Sequence, residues 1–312
     1  MLPGKPITKV QHILCPSDLS DKSQKTLGFA TRLSETLHAE LTACHCAPAN
    51  WFTSENRLPE SEYAKIKSRI KEQIVQAEDP QSSLKWRSLI VENSFDPADD
   101  ILAVAQETDV DLIVMKARPG ILSAFRFGSI VERIVMDSPC PVLLLPSRFL
   151  AKCDPRTEPI TFRRILFDYD FSSENDQLFQ TANTLTRDYK AELFVLSVIA
   201  PAFRPSTEAA PVRQSRTSVQ TIIRRKVNDV LEAEGRSIMN VPTSVAWGGH
   251  AETVLKHARR HEIDLICTAL APAHYYVEKF YSAYLGSLLS SVECPILVKR
   301  SPTSSRVKDF AA

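Results

Sequence analysis

The chain repeats itself at the scale of a whole domain. Residues 13 to 41 read ILCPSDLS…ATRLSETLHAEL, and residues 165 to 193 read ILFDYDFS…ANTLTRDYKAEL. Ile13, Leu14, Asp18, Ser20, Ala30, Leu33 and Ala39-Glu40-Leu41 return 152 positions later as Ile165, Leu166, Asp170, Ser172, Ala182, Leu185 and Ala191-Glu192-Leu193. Asp111-Leu112-Ile113 returns as Asp264-Leu265-Ile266, and Cys140-Pro141 returns as Cys294-Pro295, so the offset drifts only to 154. That unit is far too long for a solenoid repeat. It is a domain, and 312 residues hold two of ordinary size. The joint is placed near SRFLAKCDPRTEPI, a polar stretch with two prolines, which divides the chain into residues 1–150 and 151–312.

Each half alternates strand and helix. In the first, HILCPSD, AELTACHCA, LKWRSLIV, DLIVMKA and PVLLLP read as strands. Between them, Leu27, Ala30, Leu33 and Leu37 fall on one helical face, and DPADDILAVAQETD opens with a proline and acidic residues suited to a helix N-terminus. The second half repeats the order. Alternation of this kind implies an α/β fold with a parallel sheet covered on both faces. Five strands per half suggest the order 3-2-1-4-5, with a topological switch between the first and fourth strands where such sheets bind ligands.

Bulk properties narrow the function. Hydrophobic residues make up 44% and charged residues 24%, as in soluble globular proteins, and a net charge of +1 argues against nonspecific nucleic-acid binding. No apolar run spans a bilayer, and the N-terminus MLPGKPITKVQHIL lacks a signal peptide's apolar core, so a cytoplasmic location is expected. The seven cysteines are odd in number and scattered. Cys15, Cys44, Cys46 and Cys267 fall in strands and read as small buried hydrophobes. His45 points away from Cys44 and Cys46 on a strand, so no metal site is expected there. His257 and His261 share a helix face without a third ligand and read as a polar outer face. No nucleophile, base and orienter set is visible, so no enzyme is expected. Asp168 and Asp170 share one strand side. The cluster Tyr275, Tyr276, Phe280, Tyr281 and Tyr284 reads as packing, and the segment 201–217 as mobile.

Several of these segments resemble the universal stress protein family. ILCPSDLSDKSQKTLGFATRLSETLHAELTACHCAP is similar to its opening, SFDPADDILAVAQETDVDLIVM to its third helix and fourth strand, and FGSIVERIVMDSPCPVLLLP to its close. The second half keeps ILFDYDFS, KAELFVLSVIAP, HEIDLI and CPILV, and the whole resembles a tandem member of two such domains. The resemblance implies a stress-response protein with no assigned catalysis. Some members bind ATP, with an aspartate after the first strand on adenine and a loop G-x2-G-x9-G-[ST] around the phosphates. Glycines there let backbone amides approach the anion.

Carried over residue by residue, that pattern is incomplete. In the first half Asp18, Gly128 and Ser129 match, while Met115 and Arg118, or with one deletion Lys116 and Pro119, stand where the early glycines belong. Lys116, Arg118 and Arg126 offer side-chain charge instead. In the second half Asp170 alone matches. The pair Gly286-Ser287 imitates the motif, but the repeat offset sets Ser282-Ala283 opposite Gly128-Ser129 and puts Gly286 inside the helix. The expectation is therefore a non-enzymatic protein acting through protein partners, with degenerate nucleotide sites. The alternative is an ATP-binding regulator using Asp18, Lys116, Arg118, Gly128 and Ser129. The family's habit of pairing through last strands implies PVLLLP against PILVKR within the chain, with further homodimerisation left open.

Overall fold

A computed structural model describes residues 9–49, 57–117, 130–155, 160–169, 173–199, 217–218, 220–225, 227–229, 241–270 and 275–300. The first half runs β1 (His12–Pro16), α1 (Asp21–Leu37), β2 (Glu40–Pro48), α2 (Glu60–Val75), β3 (Trp86–Ser94), α3 (Pro97–Glu107), β4 (Leu112–Ala117), α4 (Ile130–Asp137) and β5 (Val142–Pro146). A short α5 (Ser147–Lys152) follows. The second half runs β6 (Arg164–Asp168), α6 (Ser173–Tyr189), β7 (Glu192–Ile199), β8 (Thr243–Trp247), α7 (His250–Arg260), β9 (Leu265–Leu270), α8 (Tyr275–Ser291) and β10 (Ile296–Arg300). Helical backbone also occupies 217–218, 220–225 and 227–229. None of the described helices is long and apolar enough to cross a membrane.

The ten described strands form one sheet in the order β3-β2-β1-β4-β5-β10-β9-β6-β7-β8. Each half thus has the order 3-2-1-4-5, with parallel pairing throughout. The halves meet antiparallel at the centre, where Leu144, Leu143 and Val142 of β5 face Ile296, Leu297 and Val298 of β10. The central strands β4, β5, β9 and β10 are the continuous apolar runs, because both of their faces are covered. Alternate residues of each strand enter opposite layers. Leu143 and Leu297 join one core, while Leu144 and Ile296 join the other, and both cores run through both halves.

The repeated residues recur because each performs the same backbone task twice. Asp111 Oδ2 accepts the amides of Gln11 (2.8 Å) and His12 (3.0 Å) at the start of β1. Asp264 accepts those of Arg163 (2.7 Å) and Arg164 (3.0 Å) at the start of β6. The prolines of the two Cys-Pro pairs offer their carbonyls to the amides of Ile113 and Ile266, both at 3.1 Å. His38 and Lys190 take left-handed φ values of 53° and 52° at the ends of α1 and α6, which sends the chain back into β2 and β7.

The stretch after β5 is not the solvated linker its composition implies. Leu150 of α5 is buried, and Phe149 packs edge-on against Phe29 of α1 at 5.6 Å. Lys25 Nζ donates to the Leu150 carbonyl at 2.8 Å. A Cβ on Gly28 would lie 3.1 Å from Pro155, so the chain crosses α1 where only hydrogen projects. Ile160 and Phe162 are buried before β6 begins. Apolar residues spaced through a polar stretch are enough to dock it.

Candidate functional site

The switch point of each half lies beyond the carboxyl ends of its first and fourth strands. In the first half the chain leaves β1 at Pro16 and turns through Leu19, whose φ is 58°. Asp18 is exposed there. Its Oδ1 accepts the amide of Ser20 at 3.0 Å and the Ser20 hydroxyl at 2.6 Å. Ser20 in turn caps α1, accepting the Ser23 amide. Asp18 therefore builds the turn that launches the helix, a local use common for aspartate. Lys116 is half-buried at the carboxyl end of β4, the strand beside β1. Arg118, Gly128, Ser129 and Asp170 lie outside the described residues, as do Arg126 and most of the segment 201–217.

Near this end, α3 is capped by Asp96, which accepts the amide of Ala98 at 3.0 Å. Arg133 of α4 pairs with Asp96 and Asp99 and holds the Asp96 carboxyl below its ordinary range. His45 donates through Nδ1 to the Ser17 carbonyl at 2.8 Å. Cys15, Cys44 and Cys267 are buried, and burial pushes the Cys15 thiol up to about 12. Cys46 differs from the sequence expectation. It is only half-buried, and hydrogen bonding with Cys44 lowers its pKa.

The second crevice is built otherwise. Asp168 ends β6 and is 3% exposed. Three side chains from three other elements converge on its carboxylate. His250, the first residue of α7, approaches with Nε2 at 2.8 Å from Oδ2 and 3.0 Å from Oδ1. Thr268 of β9 donates to Oδ2 at 3.0 Å, and the Tyr284 hydroxyl of α8 donates to it at 2.6 Å. The Tyr284 and His250 rings meet edge to face at 4.6 Å. Three donors offset the desolvation of the buried carboxylate. His250 spans from this buried group to solvent, with its side chain 40% exposed.

None of these polar groups has a polar counterpart in the first half. The repeat sets Pro16 opposite Asp168, Pro97 opposite His250, Met115 opposite Thr268 and Ile130 opposite Tyr284. In the sequence Asp168 stands out only as a companion of Asp170, and Tyr284 reads as packing. His250 and Thr268 were missed. Four simultaneous apolar-to-polar changes between repeats, at positions that meet at one switch point, were the available signal.

α8 settles the Gly286 question. Helix covers Tyr275–Ser291, so Ser282 and Ala283, opposite Gly128-Ser129, are helical, and so is Gly286. Amides inside a helix are committed to the carbonyls four residues back. His257 and His261 also differ from expectation. Their rings lie 4.3 Å apart, and His261 packs on Phe194 at 4.9 Å, so this is a partly buried face. Burial and the neighbouring His261 lower the His257 pKa to about 4. Among the described residues, no group of three or more histidine, cysteine or acidic side chains is placed to hold a metal. A groove lined by Arg32, Glu35, His38, Asp79 and Lys85 among others lies at the strands' amino ends, away from both crevices.

Comparison with known proteins agrees with this architecture. The sequence profile of the universal stress protein family matches twice, over residues 9–146 and 161–300. The chain belongs to the universal stress protein family, as a tandem of two such domains. A universal stress protein of Methanothermobacter thermautotrophicus is 42% identical over 50 residues, 16% of this chain and 34% of that protein. The match thus spans about a third of that relative's length. A solved structure of a universal stress protein from Archaeoglobus fulgidus superposes with a TM-score of 0.62 and 18% identity, covering 96% of this chain and 99% of that one. A functionally unknown protein from Pseudomonas aeruginosa superposes at 0.59 with 14% identity, covering 94% and 93%. These two likenesses concern the fold.

Proposed function

We propose that the chain is a cytoplasmic stress-response protein that works by binding protein partners, not by catalysis or nucleotide turnover. The observation that carries this reading is α8. Its helix occupies the second-half positions where a phosphate loop would have to present free amides. In the first half, the engagement of Asp18 with its own turn supports the same reading. The antiparallel seam supports a role as one rigid body, since each half shields an edge of the other. The test is complementation. In cells lacking the chain, Asp18→Ala is expected to restore stress survival as fully as the unaltered sequence. Failure at equal protein level would overturn the reading.

One observation favours a second reading, an ATP-binding regulator. Asp18 is exposed at the carboxyl end of β1, and Lys116 stands at the same end of neighbouring β4. A nucleotide at that switch point would meet both side chains. This reading requires affinity that disappears in Asp18→Ala.

A further inference from the structure

We propose that Cys44 and Cys46 form a peroxide-sensitive dithiol, in which Cys46 is the thiol that peroxide oxidises and Cys44 is the thiol that resolves it to a disulfide within β2. This site is independent of the partner-binding role above and lies in the first half alone.

Two residues apart on one strand, the two thiols share one side of the sheet. Cys44 is buried in the core layer that Ala98 and Ile101 of α3 also enter, and Cys46 packs against the same layer. Their side chains are hydrogen-bonded to each other. β2 is held between β1 and β3, with Cys44 paired to Pro16 and Leu89 and Cys46 paired to Val91. His45, on the opposite side, ties the same stretch to the Ser17 carbonyl at 2.8 Å. The sulfurs are thereby kept together, although the fold does not require sulfur here. In the second half Leu196 and Val198 stand at the corresponding places and pack into the same layer.

The two thiols differ in the way the two roles need. Cys44 is 1% exposed, whereas Cys46 is half-buried, so a small oxidant reaches Cys46 first. The Cys44 thiol donates to the Cys46 sulfur, and that bond holds Cys46 below its ordinary pKa against burial and the Asp100 carboxylate. A thiolate, not a thiol, is the nucleophile. Burial pushes Cys15, Cys140 and Cys294 up to about 12 and raises Cys267 as well, so these four stay protonated and enclosed. A strand rise of about 3.3 Å per residue puts the Cα atoms of Cys44 and Cys46 about 6.6 Å apart, inside the roughly 4.4–6.8 Å that disulfides span but near its upper end. A bond made at that limit closes with little movement of β2 and is readily reduced.

The oxidant is hydrogen peroxide. The Cys46 thiolate attacks one peroxide oxygen, forming an S–O bond. The O–O bond breaks, and the other oxygen departs with its electron pair as hydroxide and takes up a proton to leave as water. Cys46 is now a sulfenic acid. The Cys44 sulfur attacks it, the S–S bond forms, the S–O bond breaks, and the departing hydroxide carries off the Cys44 proton as a second water. Two thiols lose two hydrogens and two electrons, and one peroxide is reduced to two waters.

The experiment treats the reduced full chain with hydrogen peroxide at doses that leave its four methionines unoxidised. Intact mass should show the loss of two hydrogens, and peptide mapping should place that loss on the peptide carrying Cys44 and Cys46. Dithiothreitol should restore both thiols. Cys46→Ser, a change at a half-buried position, should lose no hydrogens at the same dose. In Cys44→Ala the oxidation should stop at the sulfenic acid, and dimedone should trap it on Cys46 about tenfold or more faster than on Cys153, the other half-buried cysteine. If Cys44→Ala fails to fold, the mapping of the unaltered chain and the Cys46→Ser result decide. No loss of hydrogens, a link through any other pair, or a link that forms only in urea would each overturn the proposal. So would dimedone labelling of Cys153 as fast as of Cys46.

Discussion

Replacing Leu144 with alanine tests whether the two halves are one structure. Leu144 is fully buried at the centre of the sheet, facing Ile296 across the antiparallel seam. Its core layer contains residues from both halves, including Leu166, Val254 and Leu288. Truncating a buried leucine costs about 3 kcal/mol, within a range of about 2 to 5. With a urea slope of about 3 kcal/mol per molar, the midpoint should fall by about 1 M. The informative point is where it falls. Trp86 on β3 and Trp247 on β8 report from the two outermost strands of the sheet. Chains retaining one or the other tryptophan, with the rest changed to phenylalanine, would be unfolded in urea and followed by fluorescence. A continuous core predicts that Leu144→Ala moves both transitions together. If the Trp86 transition moves and the Trp247 transition stays, the halves unfold as separate units and the reasoning fails.

Gly286→Ala should raise the melting temperature, because the position is helical and a Cβ there meets nothing within 4 Å. The gain is about 1 kcal/mol, read by thermal unfolding; a loss would contradict the helical placement. Asp264→Ala should cost about 2 to 3 kcal/mol in urea unfolding by stranding the amides of Arg163 and Arg164, and Asp264→Asn should cost less. His257 supplies a pH dependence. Its pKa is about 4 in the folded chain against an ordinary 6.5, so between these values the unfolded chain binds a proton that the folded chain does not. Stability should therefore fall as pH drops from 6.5 toward 4, by about 1 kcal/mol once solvent screening of the part-exposed ring is allowed for. His257→Gln should flatten that slope in unfolding curves collected across the interval.

Much of the fold was legible because the repeat reports backbone tasks. Asp111 and Asp264 recur since each caps the entry to a first strand, and the near-constant offset correctly put Gly286 inside a helix. The docking of α5 was harder to see. Phe149, Leu150, Ile160 and Phe162 are too few and too irregularly spaced to register as periodic, yet all four pack into the core. The second-half cluster was hidden for a different reason. Hydrophobic periodicity tells core from solvent, but it carries no information on which rotamers meet. Asp168, His250, Thr268 and Tyr284 sit on four elements and have no shared sequence signature. They come together only when β6 and β9 pair and α7 and α8 cover their ends.

We propose that this tandem protein acts without nucleotide. The most direct measurement is calorimetric titration of the full chain with ATP and Mg²⁺, after assay of the purified protein for retained nucleotide. No binding heat and no nucleotide carried through purification are expected. Micromolar binding that is lost in Asp18→Ala would contradict it and place a working site in the first crevice.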